Sequence, residues 1–375
     1  MARESRRRTL RRLGTATAAA FAAPKALLAP TTITSPGSQE VANKACAALS
    51  GRRLRWVVPY TAGGGYDVYS RLIAPYLEAE LGAEIIVDNV PGASGTVGAR
   101  TVQGAVPDGS TVGILHAAGL LIASMSGSAS APHPARDFTV LGRIAANHTI
   151  WVTSPRSRYR TLDSMAAAEP GAPVILGAVE VSSSNFVAMV VAADLLAIPV
   201  EFVTGQPGSR ELSLALIRGE VDASSFTLES VLDRIDAGDL VPILQIVPDS
   251  GAESGSDLDG VPVLGGPDGL AERWARRRGA DAGAARATAD TLARLMGLGR
   301  IVVAPPRMPP DVARCLEAGL QRALADPELH ARAAAARRPL DILSGADVTA
   351  MIRAVEDAAA PIVTMVSAAI DRLRG

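Results

Sequence analysis

Short apolar runs, glycine-rich turns and stretches of helical spacing alternate along most of this chain. Trp56-Val57-Val58 reads as a buried strand that stops at Pro59 and opens into a loop at Gly63-Gly64-Gly65. From Asp67 the spacing changes: Val68, Leu72, Ile73, Tyr76, Leu77 and Leu81 fall on one helical face, with Asp67 as the expected N-cap and Gly82 as the stop. A second apolar run, Ile85-Ile86-Val87, ends in a second turn, Pro91-Gly92-Ala93-Ser94-Gly95. In a parallel sheet both loops share the carboxyl edge, where ligands of open α/β sheets bind. Bare backbone N–H groups at a helix start suit an anion.

The alternation continues with a helix through Val97 to Ala105, a turn at Pro107-Asp108-Gly109 and a strand from Val112 to Leu115. Ser124 to Arg136 is small, polar and proline-containing, hence a loop. A second alternating block predicts strands at Ile150 to Val152, Val174 to Leu176, Val200 to Val203 and Leu240 to Val247. Helices are expected between them near Leu162 to Ala168, Ser184 to Ala197, Arg210 to Arg218 and Leu228 to Ala237. Ser182-Ser183-Ser184 and Gly205 to Ser209 are small-residue loops at helix starts. Pro248 to Gly269 reads as loop and Ala271 to Leu298 as helical. Ile301 to Val303 is a further strand, followed by helices from Pro310 to Ala325, Glu328 to Arg337 and Ala346 to Leu373.

Composition narrows the function. With 375 residues there is room for two domains, and a formal net charge of -1 with 3% aromatics offers neither the field nor the stacking platforms of a nucleic-acid binder. The first 23 residues read as an export signal: Ser5-Arg6-Arg7-Arg8-Thr9-Leu10-Arg11 is twin-arginine-like and precedes a mild apolar stretch from Leu13 to Ala23. Residues 24–51 read as a linker. No later stretch is apolar and long enough to span a bilayer, so a periplasmic, soluble mature protein is expected. Cys46 and Cys315 make no framework, and their pairing is left open.

Several motifs, in order, resemble the periplasmic substrate-binding receptors of tripartite tricarboxylate transporters, the Bug family. They are Val58-Pro59-Tyr60 with Gly63-Gly64-Gly65 and Asp67, Asp88-Asn89-Val90-Pro91-Gly92-Ala93-Ser94-Gly95, Ala105-Val106-Pro107-Asp108-Gly109 and Ser182-Ser183-Ser184. Further on come Gly219-Glu220-Val221-Asp222, Val261-Pro262 and Ala323-Leu324-Ala325-Asp326-Pro327-Glu328. The resemblance implies an α/β, two-lobed type II periplasmic-binding-protein (Venus-flytrap) fold, with a mainly parallel sheet in each lobe and two hinge crossings. Lobe one would be 52–144 plus 248–375, and lobe two 145–247. It implies a monomer that closes on a small carboxylate and presents it to membrane permease subunits. By position, the ligand would be met by Thr61, Ala62, Gly63, Gly64, Gly65, Tyr66 and Asp67, by Gly92, Ala93, Ser94 and Gly95, and by His116 and Ala117. Lobe two would add Ser182, Ser183, Ser184, Thr204, Gly205 and Asp222. The chain departs from the family pattern at Tyr66, where a small hydroxyl residue is usual. It departs again at Glu180-Val181, in place of a small polar residue and glycine, and at Phe202-Val203-Thr204-Gly205; residues 271–298 match poorly. A carboxylate at Glu180 would repel an acid unless the ligand carries a cation or the side chain faces solvent.

Other chemistries lack their residues. No lysine followed by Ser or Thr closes the glycine run, no G-x-S-x-G surrounds a serine, and His133, His148 and His330 have no metal-ligand spacing; neither metal nor cofactor is expected. The same features would serve a receptor that hands its liganded form to a membrane histidine kinase. An exported hydrolase or transferase using the serine cluster is the rival from another class, and it lacks an evident nucleophile–base pair.

Overall fold

The computed structural model describes residues 46–128, 130–181, 183–248, 258 and 260–374, so the expected signal peptide and most of the linker lie outside the described residues. Two sheets carry the architecture. The first takes its strands from both ends of the chain: β1 (Arg53–Val58), β2 (Glu84–Asn89), β3 (Thr111–His116), β4 (Thr139–Ala145), β10 (Arg300–Ala304) and β11 (Leu343–Ser344), in the order β11-β4-β10-β3-β1-β2. The second is β5 (Thr149–Thr153), β6 (Val174–Gly177), β7 (Val200–Val203), β8 (Ala223–Thr227) and β9 (Val241–Ile246), in the order β7-β6-β8-β5-β9. Within the first, β1 lies parallel to β2 and β3, while β10 runs antiparallel between β3 and β4. Within the second, β6 is parallel to β7 and β8, and β5 runs antiparallel between β8 and β9. Each sheet is therefore mixed: β10 and β11 are reversed in the first, and β5 in the second. This is an α/β fold of two sheet-centred units.

Helices cover the sheets: α1 (Gly65–Leu81), α2 (Thr96–Gln103), α3 (Ala117–Met125), α4 (Leu162–Ala166), α5 (Ser184–Leu195), α6 (Ser209–Arg218) and α7 (Leu228–Asp236). After β9 come α8 (Leu270–Arg277), α9 (Ala282–Gly297), α10 (Pro310–Leu324), α11 (Pro327–Ala335), α12 (Gly345–Ala358) and α13 (Ala360–Arg374). Successive strand residues point to opposite faces, and the packing follows. Trp56 and Val58 pack with Tyr69, Ile73 and Leu320 from α1 and α10, whereas Val57 faces the other way, with Ala99 and Val102 of α2. The apolar runs are continuous because both faces of these strands are buried. Helices α8, α9 and α13 pack against α5, so the segment after β9 covers the second sheet before the chain returns to the first.

Several expectations need correction. Helix α1 starts at Gly65, two residues early, and Gly64 rather than Asp67 is its N-cap; Gly82 ends it in the left-handed conformation, as the pattern predicts. The stretch 271–298 is two helices, broken where Gly279 turns (φ 71°) and Asp281 caps the next helix by accepting from the Ala284 N–H at 3.0 Å. The single long helix expected from Ala346 is two, α12 and α13. Pro361 has no N–H to donate to the preceding turn, so the first helix ends at Ala358 and the second restarts at Ala360 with the proline in its first turn. Strands β4 and β8 have no counterpart in the apolar pattern, because Gly142, Arg143, Ser224 and Ser225 interrupt them. The open question of the cysteines has an answer: Cys46 and Cys315 are joined, with Cα atoms 5.4 Å apart.

Candidate functional site

The carboxyl ends of β1, β2 and β3 lie side by side, so the loops at 59–64, 90–95 and the residues after His116 share one edge of the first sheet. Because β10 runs the other way, its first residue joins them: Arg300 pairs with His116. In the second sheet the ends of β6 and β8 bring up Glu180, Ser183 and Glu229. Two direct contacts show that these edges face each other. The Ser94 hydroxyl donates to Glu180 Oε2 at 2.7 Å, and Arg300 is ion-paired with Glu229.

The glycine loops are shaped by close approach. A Cβ on Gly98 would stand 2.7 Å from Pro59 Cα and 2.9 Å from the Val90 carbonyl oxygen, so helix α2 seats directly on the end of β1. Gly95 (φ 93°) leaves room for the Tyr60 ring, which would lie 3.0–3.2 Å from an added Cβ. Ala93 and Ser94 also take positive φ, 45° and 50°, and this presents Ser94 to the opposing sheet. The Gly63 N–H is not bare as expected: it donates to Asp67 Oδ2 at 2.9 Å. Burial would lift the Asp67 carboxyl, but hydrogen bonds from Arg71 and the Gly63 N–H outweigh it and hold the group below its ordinary range.

At the centre, Arg300 is 2% exposed and its Glu229 partner 7%. Its Nη1 donates to Asn147 Oδ1 at 2.9 Å, and its guanidinium lies over the rings of Tyr66 and Tyr69, 5.2 and 4.7 Å from their centroids. Burial alone would lower the Arg300 pKa; Glu229 and the two tyrosines more than offset this and raise it. Asn147 Nδ2 sits 3.0 Å from His116 Nε2, and His116 Nδ1 accepts from the Gly119 N–H at 3.1 Å, so His116 also caps α3. Burial first, and then the positive charge of Arg300, push the His116 pKa down to about 4, so the ring is neutral at neutral pH. Tyr60 and Tyr66 are raised, chiefly by burial, and stay protonated; their ring centroids are 4.6 Å apart.

The structure thus brings together Gly65, Tyr66, Asp67, Gly92 to Gly95, His116, Ala117, Ser183 and Ser184 around one cleft. Thr61, Ala62 and Gly63 form its exposed rim. Ser183 caps α5, accepting from the Phe186 N–H at 3.4 Å. Ser182 lies outside the described residues. Thr204 and Gly205 are exposed, tied to the neighbouring loop by the Gly205 N–H donating to the Val179 carbonyl at 2.9 Å. Asp222 does not join the cleft. It precedes β8, at the end opposite Thr227, and its carboxylate accepts from the Ile175 N–H at 2.9 Å and from Arg158 at 3.3 Å. Tyr60, Asn147, Glu229 and Arg300 are cleft residues that the sequence reading did not single out. Only Arg300 left a local trace, a lone cation opening an otherwise apolar strand.

Opposed loop edges from two sheets thus meet around a buried polar cluster. Residues 69–249 match the model of the "Tripartite tricarboxylate transporter family receptor". It is 25% identical over 234 residues to protein BugT of Bordetella pertussis, which covers 60% of this chain and 69% of that protein. It spans only 36% of the length of another relative, from Pseudomonas sp., at 28% identity over 121 residues. Among solved structures, the Rpa4515 protein of R. palustris with adipate superposes with a TM-score of 0.65 at 18% identity, covering 84% of this chain and 97% of that one. MatC from Rhodopseudomonas palustris with bound malate gives 0.60 at 21%, covering 82% and 98%. These two likenesses establish the fold. Among the described residues no helix is long and apolar enough to cross a membrane.

Proposed function

We propose that this protein is an extracytoplasmic solute receptor that captures a small organic acid between two lobes and delivers it to the permease of a tripartite tricarboxylate-type transporter. The lobes would be 52–144 with 248–375, and 145–247, and residues 1–23 would direct export to the periplasm. The observation that carries this reading is the pair of contacts across the cleft, Ser94 to Glu180 and Arg300 to Glu229, which join loop edges belonging to different sheets. The match of residues 69–249 to the receptor family model supports it, as do the malate and adipate bound by proteins of the same fold. The chemistry is that of binding: loop N–H groups and hydroxyls hold an anion at low cost in side-chain entropy, and closing the lobes buries it.

A thermal-shift titration of the purified protein with small mono- and dicarboxylates and amino acids tests the reading. A ligand that binds only the native state raises the melting temperature in a saturable way. The expected result is such a shift with one or a few of these acids. A folded, ligand-free sample that responds to none would refute it.

A further inference from the structure

We propose that Glu180 is the counter-ion for a positive charge on the ligand, so that the acid taken up is a small ammonium carboxylate of the amino-acid class rather than a plain di- or tricarboxylate. This rests on the receptor reading above and narrows it. The charges lining the cleft can be audited one by one. Arg300 is neutralised by Glu229, and Asp67 by Arg71 at 2.9 Å. His116, Tyr60 and Tyr66 are uncharged at neutral pH, for the reasons of burial already given. Glu180 alone is left over. Its carboxylate reaches across to a neutral hydroxyl, Ser94 Oγ, at 2.7 Å, and it has no ion-pair partner among the described residues. An ionised carboxylate accepts about four hydrogen bonds, so one serine leaves most of its capacity for something else.

The surroundings suit a cation and an anion at once. Tyr60 donates to the Ser94 carbonyl at 3.4 Å, which sets its ring beside the Glu180 contact, and the Tyr66 ring packs on it. Aromatic faces next to a carboxylate make a favourable place for an ammonium group. One buried polar atom in the same region lacks a hydrogen-bond partner: Nδ2 of Asn185, whose Oδ1 is already engaged by Ser183. That amide nitrogen is a donor suited to a ligand carboxylate. A dianion placed here would add two negative charges to a wall that already carries one uncompensated, whereas an amino acid brings the single positive charge that the wall lacks.

Isothermal titration of the full chain with matched pairs tests this: L-aspartate against succinate, L-glutamate against glutarate, and β-alanine against propionate. Each pair differs by one ammonium group. The expected result is at least tenfold tighter binding of the amine-bearing member of one pair by the wild type. In Glu180→Gln, which keeps an acceptor for Ser94, that preference falls about tenfold while the plain acid gains. Glu180→Asp, which keeps the charge, retains part of the preference and stands in should the glutamine variant fold poorly. Equal or tighter binding of the plain acid by the wild type overturns the proposal and leaves the receptor reading intact. So does a preference that survives Glu180→Gln undiminished. Binding of none of the six probes overturns the proposal, and if the wider panel of acids is also silent, the receptor reading falls with it.

Discussion

Replacing Glu229 with alanine is the sharpest probe of how the two sheets are held together. The substitution removes the carboxylate that neutralises Arg300 and leaves the guanidinium with Asn147 and two aromatic faces in a site 2% exposed. Arg300 cannot shed its proton to escape, since its pKa is already raised above an ordinary arginine's. Breaking a buried pair by removing one member costs about 3–5 kcal/mol, against roughly 0–1 kcal/mol for a surface pair. Replacing both members with apolar residues of similar size is often neutral or better, so Glu229→Leu with Arg300→Met is expected to recover most of the loss. The assay is urea unfolding followed by the fluorescence of Trp56, Trp151 and Trp274, all buried. Midpoints are converted to free energy by linear extrapolation, and wild type, Glu229→Leu, Arg300→Met and the double variant form a double-mutant cycle. A loss below about 1 kcal/mol for Glu229→Ala would refute the reasoning. It would mean that Arg300 is solvated in solution and that the two edges stand apart.

Two further predictions follow from the same coordinates. His116 is neutral in the folded protein, with a pKa near 4, but takes up a proton below its ordinary value of 6.5 when unfolded. The unfolded state therefore binds more protons on acidification. The stability due to this residue is complete above about pH 6.5 and is lost as the pH falls toward 4, by about 3 kcal/mol. Comparing unfolding free energies of wild type and His116→Gln at several pH values checks this, and parallel curves would contradict it. The Cys46–Cys315 bond closes 269 residues of chain, and by loop-closure entropy its reduction should cost up to about 5 kcal/mol. A melting temperature unchanged by dithiothreitol or by Cys315→Ser would show that the bond contributes little.

The sequence made the first glycine loops, their flanking strands and most helices readable, because strands buried on both faces need unbroken apolar runs and glycine turns have few substitutes. It hid β4 and β8 for the converse reason. Arg143 and Ser224 sit in buried strand positions and satisfy themselves through tertiary contacts, Arg143 with the Gly297 carbonyl at 2.9 Å and Ser224 with the Gly177 carbonyl at 2.8 Å. Local pattern carries no record of such partners. The same holds at the cleft. Ser94 and Glu180 come from conspicuous loops, but Asn147 and Arg300 are 153 positions apart and Glu229 is 71 from Arg300. Only the reversal of β10 brings that arginine to the edge its neighbours reach from the other direction. Asp222 misled because a carboxylate at the start of a strand looks the same in sequence whether it faces a ligand or a backbone N–H.

The bond between Cys46 and Cys315 also changes what the chain is, covalently. It turns residues 46–315 into a ring that contains β1 to β10, every strand of both sheets except β11. A protease that cuts one peptide bond anywhere inside that ring produces no free fragment. The two pieces stay linked and run as one species until a reductant is added. For a protein proposed to work in the periplasm, a nicked loop would then leave both halves of the cleft on the same molecule.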